Sequence, residues 1–153
     1  MSSAHISLSV PVNASAETVF AKFTDWPSQG EWMFGTHVHT TAAGPEGWGR
    51  GVGAEISAFT GFLKIGFWDT MKITQWQSPV RVDVLHTGKV VRGTGTMIVE
   101  PRSESTSTFI WSEDLELPLG AVGAFGFAIV KPLFVAGIRH SLTKFARWVE
   151  ATS

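Results

Sequence analysis

The sequence has no cysteine and no tyrosine. The first absence excludes disulfides, thiolate nucleophiles and cysteine metal ligands. It fits a reducing compartment, and a cytoplasmic protein is expected. The second absence means that no phenol can serve as acid or base. Charge is also sparse: charged residues are 16% of the chain and the net charge is −1. There is no basic excess to hold a phosphate backbone, so nucleic acid is not an expected partner. The start, MSSAHISLSV, lacks a basic segment followed by an apolar run, and no signal peptide is expected.

Apolar and aromatic residues are plentiful. Hydrophobic residues make up 44% of the 153, with seven tryptophans and eleven phenylalanines. That composition is globular, and the length predicts one domain over 1–153. The longest apolar run is LPLGAVGAFGFAIVKPLFVAGI, residues 117–138, whose one charge is Lys131. Its length alone would cross a bilayer. Lys131, the backbone break at Pro132 and the weak helix formers Gly120, Gly123 and Gly126 argue against a span. The reading is two helical pieces, about 120–130 and 132–150, or one helix kinked at Pro132. In the second piece Phe134, Ile138, Leu142, Phe145 and Val149 recur at three- and four-residue spacing, the pattern of a core-facing helix. Whether 119–130 is helix or an ordered loop stays open.

Before that run, HISLSVPV alternates as a strand. Asn13 or Ser15 then caps a short helix in AETVFAKF, and PSQGEWM forms a second. THVHTT is a strand, followed by the glycine-rich AAGPEGWGRG. Five further strands follow, VGAEISAF, GFWDTMKITQW, VRVDVLHT, VRGTGTMIVEP and STSTFIWSEDLEL, with connections short enough for antiparallel hairpins. The fold class is α+β: a bent antiparallel sheet of about seven strands around a long C-terminal helix, with two short helices after strand 1.

This layout resembles the helix-grip fold of the START/SRPBCC superfamily, including its polyketide cyclase/dehydrase and lipid-transport group. The likeness rests on SVPVNASAETVFAKFTDWPSQGEWM, the GVGAEI strand and MKITQWQSPVRVDV. TFIWSEDLELP, leading into the helix that ends SLTKFARWVEA, completes it. The resemblance covers nearly the whole chain and implies a hydrophobic ligand held between sheet and helix. It does not fix an activity, because the superfamily holds binders, transporters and several kinds of enzyme.

Strand parity predicts which residues face that space. Tight turns near Gln77–Ser78 and Gly88–Lys89 pair Ile73 with Val82, Met71 with Val84 and Asp69 with His86, then His86 with Val91 and Val84 with Gly93. The inner face then carries Phe67, Asp69, Met71, Val84, His86, Gly93, Gly95, Met97, Trp111, Glu113 and Leu115. Phe134 and Ile138 face them from the helix, and Trp32 joins them from the second short helix. Gly93 and Gly95 either open a cavity or permit a bend. Asp69 and His86 are either an acid/base pair or a polar rim pair. Glu113 falls deeper, beside Gly95, where an apolar setting raises a carboxyl pKa. Arg81 and Arg92 point outward by parity, so Glu113 has no evident partner. It either meets a ligand or is exposed by a bulge.

Other candidates are weaker. His37 and His39 share a strand face but lack a third ligand, so a solvated edge is preferred over metal. Trp26 and Trp68 are pocket or core residues. GWGRG lacks the context of a phosphate loop. No metal and no cofactor are called for. The apolar mouth, from the 117–138 run and Phe62, Leu63, Ile65 and Phe67, could admit a ligand, touch a membrane transiently or form a homodimer.

The leading function is binding or transport of a small hydrophobic molecule, lipid-like or aromatic/polyketide. The alternatives are a cyclase, aromatase or dehydratase using His86, Asp69 and Glu113 as catalytic groups, and an interaction subunit docking through the apolar end. A non-catalytic binder is favoured over an enzyme.

Overall fold

The computed structural model describes residues 2–33, 35–62, 65–117 and 119–153. Strand β1 (Ser2–Val12) leads to helix α1 (Ala16–Phe23), which Ser15 caps by accepting from the Thr18 amide at 3.2 Å. A 3-10 turn follows at Trp26–Glu31. Six more strands complete the sheet: β2 (Thr36–Ala42), β3 (Glu55–Phe62), β4 (Ile65–Gln77), β5 (Arg81–Thr87), β6 (Arg92–Pro101) and β7 (Ser107–Leu117). Helix α2 (Gly120–Thr152) ends the chain.

The seven strands form one antiparallel sheet in the order β1-β7-β6-β5-β4-β3-β2. This is the expected α+β architecture. The sheet's inner face buries Ile73, Val82, Val84, Met97, Val99 and Phe109. Against them lie Val19, Phe20 and Phe23 of α1 and Leu142, Phe145 and Val149 of α2. Phe145 stacks 4.9 Å from Phe109 and 4.8 Å from Trp32, anchoring the C-terminal half of the helix.

The register differs from the sequence reading, but the faces do not. Met71, not Asp69, lies opposite His86, and Ile73 opposite Val84. The β4–β5 connection is three residues, with Gln77 opposite Arg81, and a bulge sits between Ile73 and Gln75. A three-residue connection alone would turn every side chain over. The bulge supplies the extra residue that turns them back, so from Ile73 to Met71 the pairing is moved by two and parity survives there. The β5–β6 turn also spans four residues rather than two, and His86 faces Gly93.

α2 is one continuous helix through Pro132, the second of the two arrangements expected, and its first half is not buried. Leu119 and Leu133 are 80% exposed and Phe125 is 70% exposed. Leu63 and the Phe62 side chain, both expected at the mouth, lie outside the described residues.

Candidate functional site

Three strands bring three ionisable groups together. Asp69 is on β4, His86 on β5 and Glu113 on β7. His86 Nδ1 lies 2.8 Å from Asp69 Oδ1, and His86 Nε2 lies 2.9 Å from Glu113 Oε2. Trp111 Nε1, two residues from Glu113 on the same face, donates to Glu113 Oε1 at 3.0 Å. The histidine side chain is only 2% exposed. Asp69 is the more open end of the group, and Glu113 is buried.

The Asp69–His86 contact is diagonal across neighbouring strands, within ordinary side-chain reach. The His86–Glu113 contact needs more explanation, because β6 runs between their strands. Two strand spacings separate β5 from β7, about 9.6 Å. Gly95 lies between Val84 and Glu113 in the register, and Gly93 between His86 and Leu115. A Cβ on Gly95 would stand 2.9 Å from Glu113 Oε2 and 3.2 Å from Oε1. The missing side chain is the space in which the carboxylate lies to reach His86. Gly95 therefore does not open the cavity, as the sequence suggests it could; Glu113 fills its place. Gly93 does not open it either. Its φ is +118°, and a Cβ there would collide with the Asp114 carbonyl oxygen, so its role is in the backbone.

Both imidazole nitrogens face carboxyl oxygens. If both carboxyls are ionised, both nitrogens must donate, which requires the imidazolium. Burial pulls the His86 pKa down, but the hydrogen bonds and charges of Asp69 and Glu113 outweigh it and carry it up to about 9. Burial raises the Glu113 pKa, and the opposing pull of His86 does not cancel that rise. The group therefore holds a proton firmly at neutral pH, shared between His86 and Glu113.

This group forms the polar wall of a cavity of about 380 Å³ between sheet and α2. Phe67, Val91, Trp111 and Leu115 line the sheet side, and Leu133, Phe134, Gly137, Ile138 and Ser141 the helix side. Met33, Thr36 and Thr60 close a third side, with the two threonine hydroxyls 3.1 Å apart. A smaller inner pocket of about 70 Å³ shares the three ionisable groups and adds Met71, Val84 and Met97. The outer volume falls within the range of small-molecule sites.

Most residues expected at the site line one of these spaces, but Trp32, Gly93 and Gly95 do not. Trp32 is buried edge-on to Trp111 at 6.2 Å and to Phe145, so it packs behind the cavity wall. Trp26 borders the inner pocket, whereas Trp68 is half exposed beside His39. The sequence reading missed Met33, Thr36, Thr60, Val91, Leu133, Gly137 and Ser141. Gly137 and Ser141 continue the Leu133 and Ile138 stripe at helical spacing, a signal that was available. It also missed that His86 is Glu113's partner. Among the described residues, no group of three or more side chains is arranged to hold a metal ion.

The sequence profile of the family described as polyketide cyclase / dehydrase and lipid transport matches residues 3–150. The chain belongs to this family. No curated protein matches the sequence significantly. Among solved structures, the family member is similar to the Zhui aromatase/cyclase of a Streptomyces species, at 12% identity and TM-score 0.74, covering 97% of this chain and 94% of that one. It is similar to a START superfamily protein from Mycobacterium smegmatis, at 14% identity and TM-score 0.68, covering 96% and 94%. It is also similar to norcoclaurine synthase from Thalictrum flavum, solved with dopamine and hydroxybenzaldehyde, at 16% identity and TM-score 0.68, covering 99% and 89%. At these identities the likeness is one of fold. The shared fold is the helix-grip architecture, a bent antiparallel sheet around a long C-terminal helix.

Proposed function

We propose that this single-domain protein binds a small hydrophobic molecule, lipid-like or aromatic, in the cavity between sheet and α2. The carrying observation is that cavity: about 380 Å³, largely apolar, with one polar wall made by Asp69, His86 and Glu113. The apolar lining supplies affinity through area removed from water. The polar wall fixes orientation and favours a ligand with a hydroxyl at one end, since the carboxylates accept while both imidazolium N–H groups are taken by Asp69 and Glu113. The absence of cysteine supports a reducing compartment such as the cytoplasm.

Gly137 offers a direct test. It lines the cavity, and a Cβ built on it meets nothing within 4 Å. Gly137→Phe adds a ring at the cavity wall from a Cβ that meets no neighbour. Replacing an exposed helix glycine also favours the helix, by up to about 1 kcal/mol. Titration with N-phenyl-1-naphthylamine, an uncharged aromatic probe, should saturate near one per chain for the wild type. The variant should bind at least about tenfold more weakly while melting no lower than the wild type. Equal binding by the variant would sink the cavity as the site.

A second reading is an acid/base enzyme of the cyclase, aromatase or dehydratase kind. It is favoured by a buried histidine clamped between two carboxyls beside an apolar cavity. Asp69, the more open carboxyl, would take a proton from substrate and return it, with His86 holding it in place. His86→Gln separates the readings: turnover of a supplied β-keto substrate would fall by about 10²-fold or more with probe binding kept. A plain carrier shows no turnover in either protein.

A further inference from the structure

The first half of α2 carries an apolar face that none of the described residues covers. An 18-residue window of this helix has mean hydropathy 1.9, and none of it is buried. Leu119, Val122, Phe125, Ile129 and Leu133 all lie on the outer side and are at least 65% exposed. At about 100° per residue, the exposed large side chains from Phe125 round to Phe134 cover about half the helix circumference. The opposite side carries Phe127, Val135 and Ile138, which pack against the core cluster. The helix is thus fixed to the domain along one side and bare along the other.

The outer face changes character along its length. Continuing from Leu133 at helical spacing, it reaches His140, Lys144 and Arg147, all exposed, with Arg139 beside them. Over Gly120–Thr152 there are four lysines and arginines and one acidic residue, Glu150, in a chain of net charge −1. The two exposed carboxylates near the open end of β7 already have partners: Asp114 meets His5 Nδ1 at 2.7 Å and Glu116 meets Arg92 at 3.4 Å. The same end of the sheet presents Ile65, 81% exposed, Trp68 and Val90.

We propose that this end of the molecule docks on an anionic lipid bilayer, with the start of α2 leading. The apolar face enters the hydrocarbon of one leaflet, and Arg139, Lys144 and Arg147 lie at the headgroups. A second copy of the chain would match the apolar face, but it would not use the cationic collar behind it. An anionic membrane uses both. The packed side of the helix prevents burial in lipid all round, so the geometry is docking rather than spanning. The docked face borders the cavity, since Leu133 and Phe134 belong to both. The inference does not depend on the cavity being occupied.

The test is vesicle flotation of the full chain with phosphatidylcholine vesicles and with phosphatidylcholine vesicles containing phosphatidylserine. The wild type is expected to float with the anionic vesicles and much less with the neutral ones. The double substitution Phe125→Asp and Ile129→Asp should lower binding by at least about tenfold, by placing two carboxylates in the hydrocarbon. Lys144→Gln with Arg147→Gln should lower anionic binding by about fivefold for each cation removed and leave neutral binding unchanged. Circular dichroism and N-phenyl-1-naphthylamine binding of the variants check that they fold. Wild-type protein that does not float with anionic vesicles would overturn the proposal. So would flotation indifferent to both pairs of substitutions. A wild-type dimer that Phe125→Asp dissociates, with no flotation, would assign the face to self-association instead.

Discussion

Replacing His86 with leucine is expected to cost about 3–5 kcal/mol at neutral pH, because it strips the counter-ion from a buried carboxyl. For a chain of this size that is a fall in Tm of roughly 10 °C. Glu113 is buried and its hydrogen bond to His86 Nε2 is 2.9 Å, so the loss leaves its Oε2 without that donor. Replacing Glu113 with leucine as well removes the orphaned group, and the double variant should regain most of the stability. The sign with pH follows from the same cluster. His86 holds its proton up to about pH 9 in the folded chain, against an ordinary value near 6.5. Its contribution is therefore complete below pH 6.5 and is lost as pH rises through 9. At about 1.4 kcal/mol per pKa unit, the loss is at most about 3.5 kcal/mol. Glu113 is raised too, so it also binds its proton more tightly folded than unfolded, and its slope has the same sign. Denaturant melts across pH 6 to 10 should show wild-type stability falling and the double variant nearly level. A wild-type profile flat over that interval would contradict a protonated His86.

The second large effect separates two glycines that sit two residues apart on β6. Gly93→Ala should destabilise by more than about 4 kcal/mol, since φ is +118° and the new Cβ runs into the Asp114 carbonyl. Neither partner is a side chain that can swing aside. Gly95→Ala meets the Glu113 carboxylate at 2.9 Å and Val84 Cγ2 at 3.1 Å, both side-chain ends. That variant should fold, at a cost of about 1–3 kcal/mol, with the carboxylate pushed off His86. Its distinguishing readout is the His86 pKa, which should drop toward the ordinary imidazole range. Thermal melts and an imidazole NMR titration of both variants check this. A Gly95→Ala protein with an unchanged His86 pKa would mean that the glycine does not create the contact.

Much of this architecture could be read from the chain. The seven strands follow from alternation and short connections. The Ser15 cap, the short turn at Trp26–Glu31 and the buried stripe of Leu142, Phe145 and Val149 follow from local rules. The inner face held because the net shift was even at both connections: two at β5–β6, and three less one for the bulge at β4–β5. The bulge between Ile73 and Gln75 has no mark in the sequence; together with the three-residue connection it moved His86 from opposite Asp69 to opposite Met71. The longer β5–β6 connection concealed the partner of Glu113, because it sets Gly95 opposite Val84 and so brings Glu113 beside His86. A histidine and a glutamate on strands either side of a glycine is a pattern that could be sought, but only once strand order is known. The exposure of residues 119–134 was not legible either. Hydropathy says that a segment is apolar, not whether protein or something else covers it.

The central claim is that a hydrophobic molecule sits against His86. The measurement that tests it most directly is imidazole ¹⁵N NMR of the wild type through a titration with N-phenyl-1-naphthylamine. The account predicts that the His86 signals move, saturate near one probe per chain and stay fixed in Gly137→Phe, while those of His37, His39 and His140 do not respond. Probe binding that leaves His86 unmoved would place the ligand elsewhere, on the exposed apolar helix, and would contradict the account.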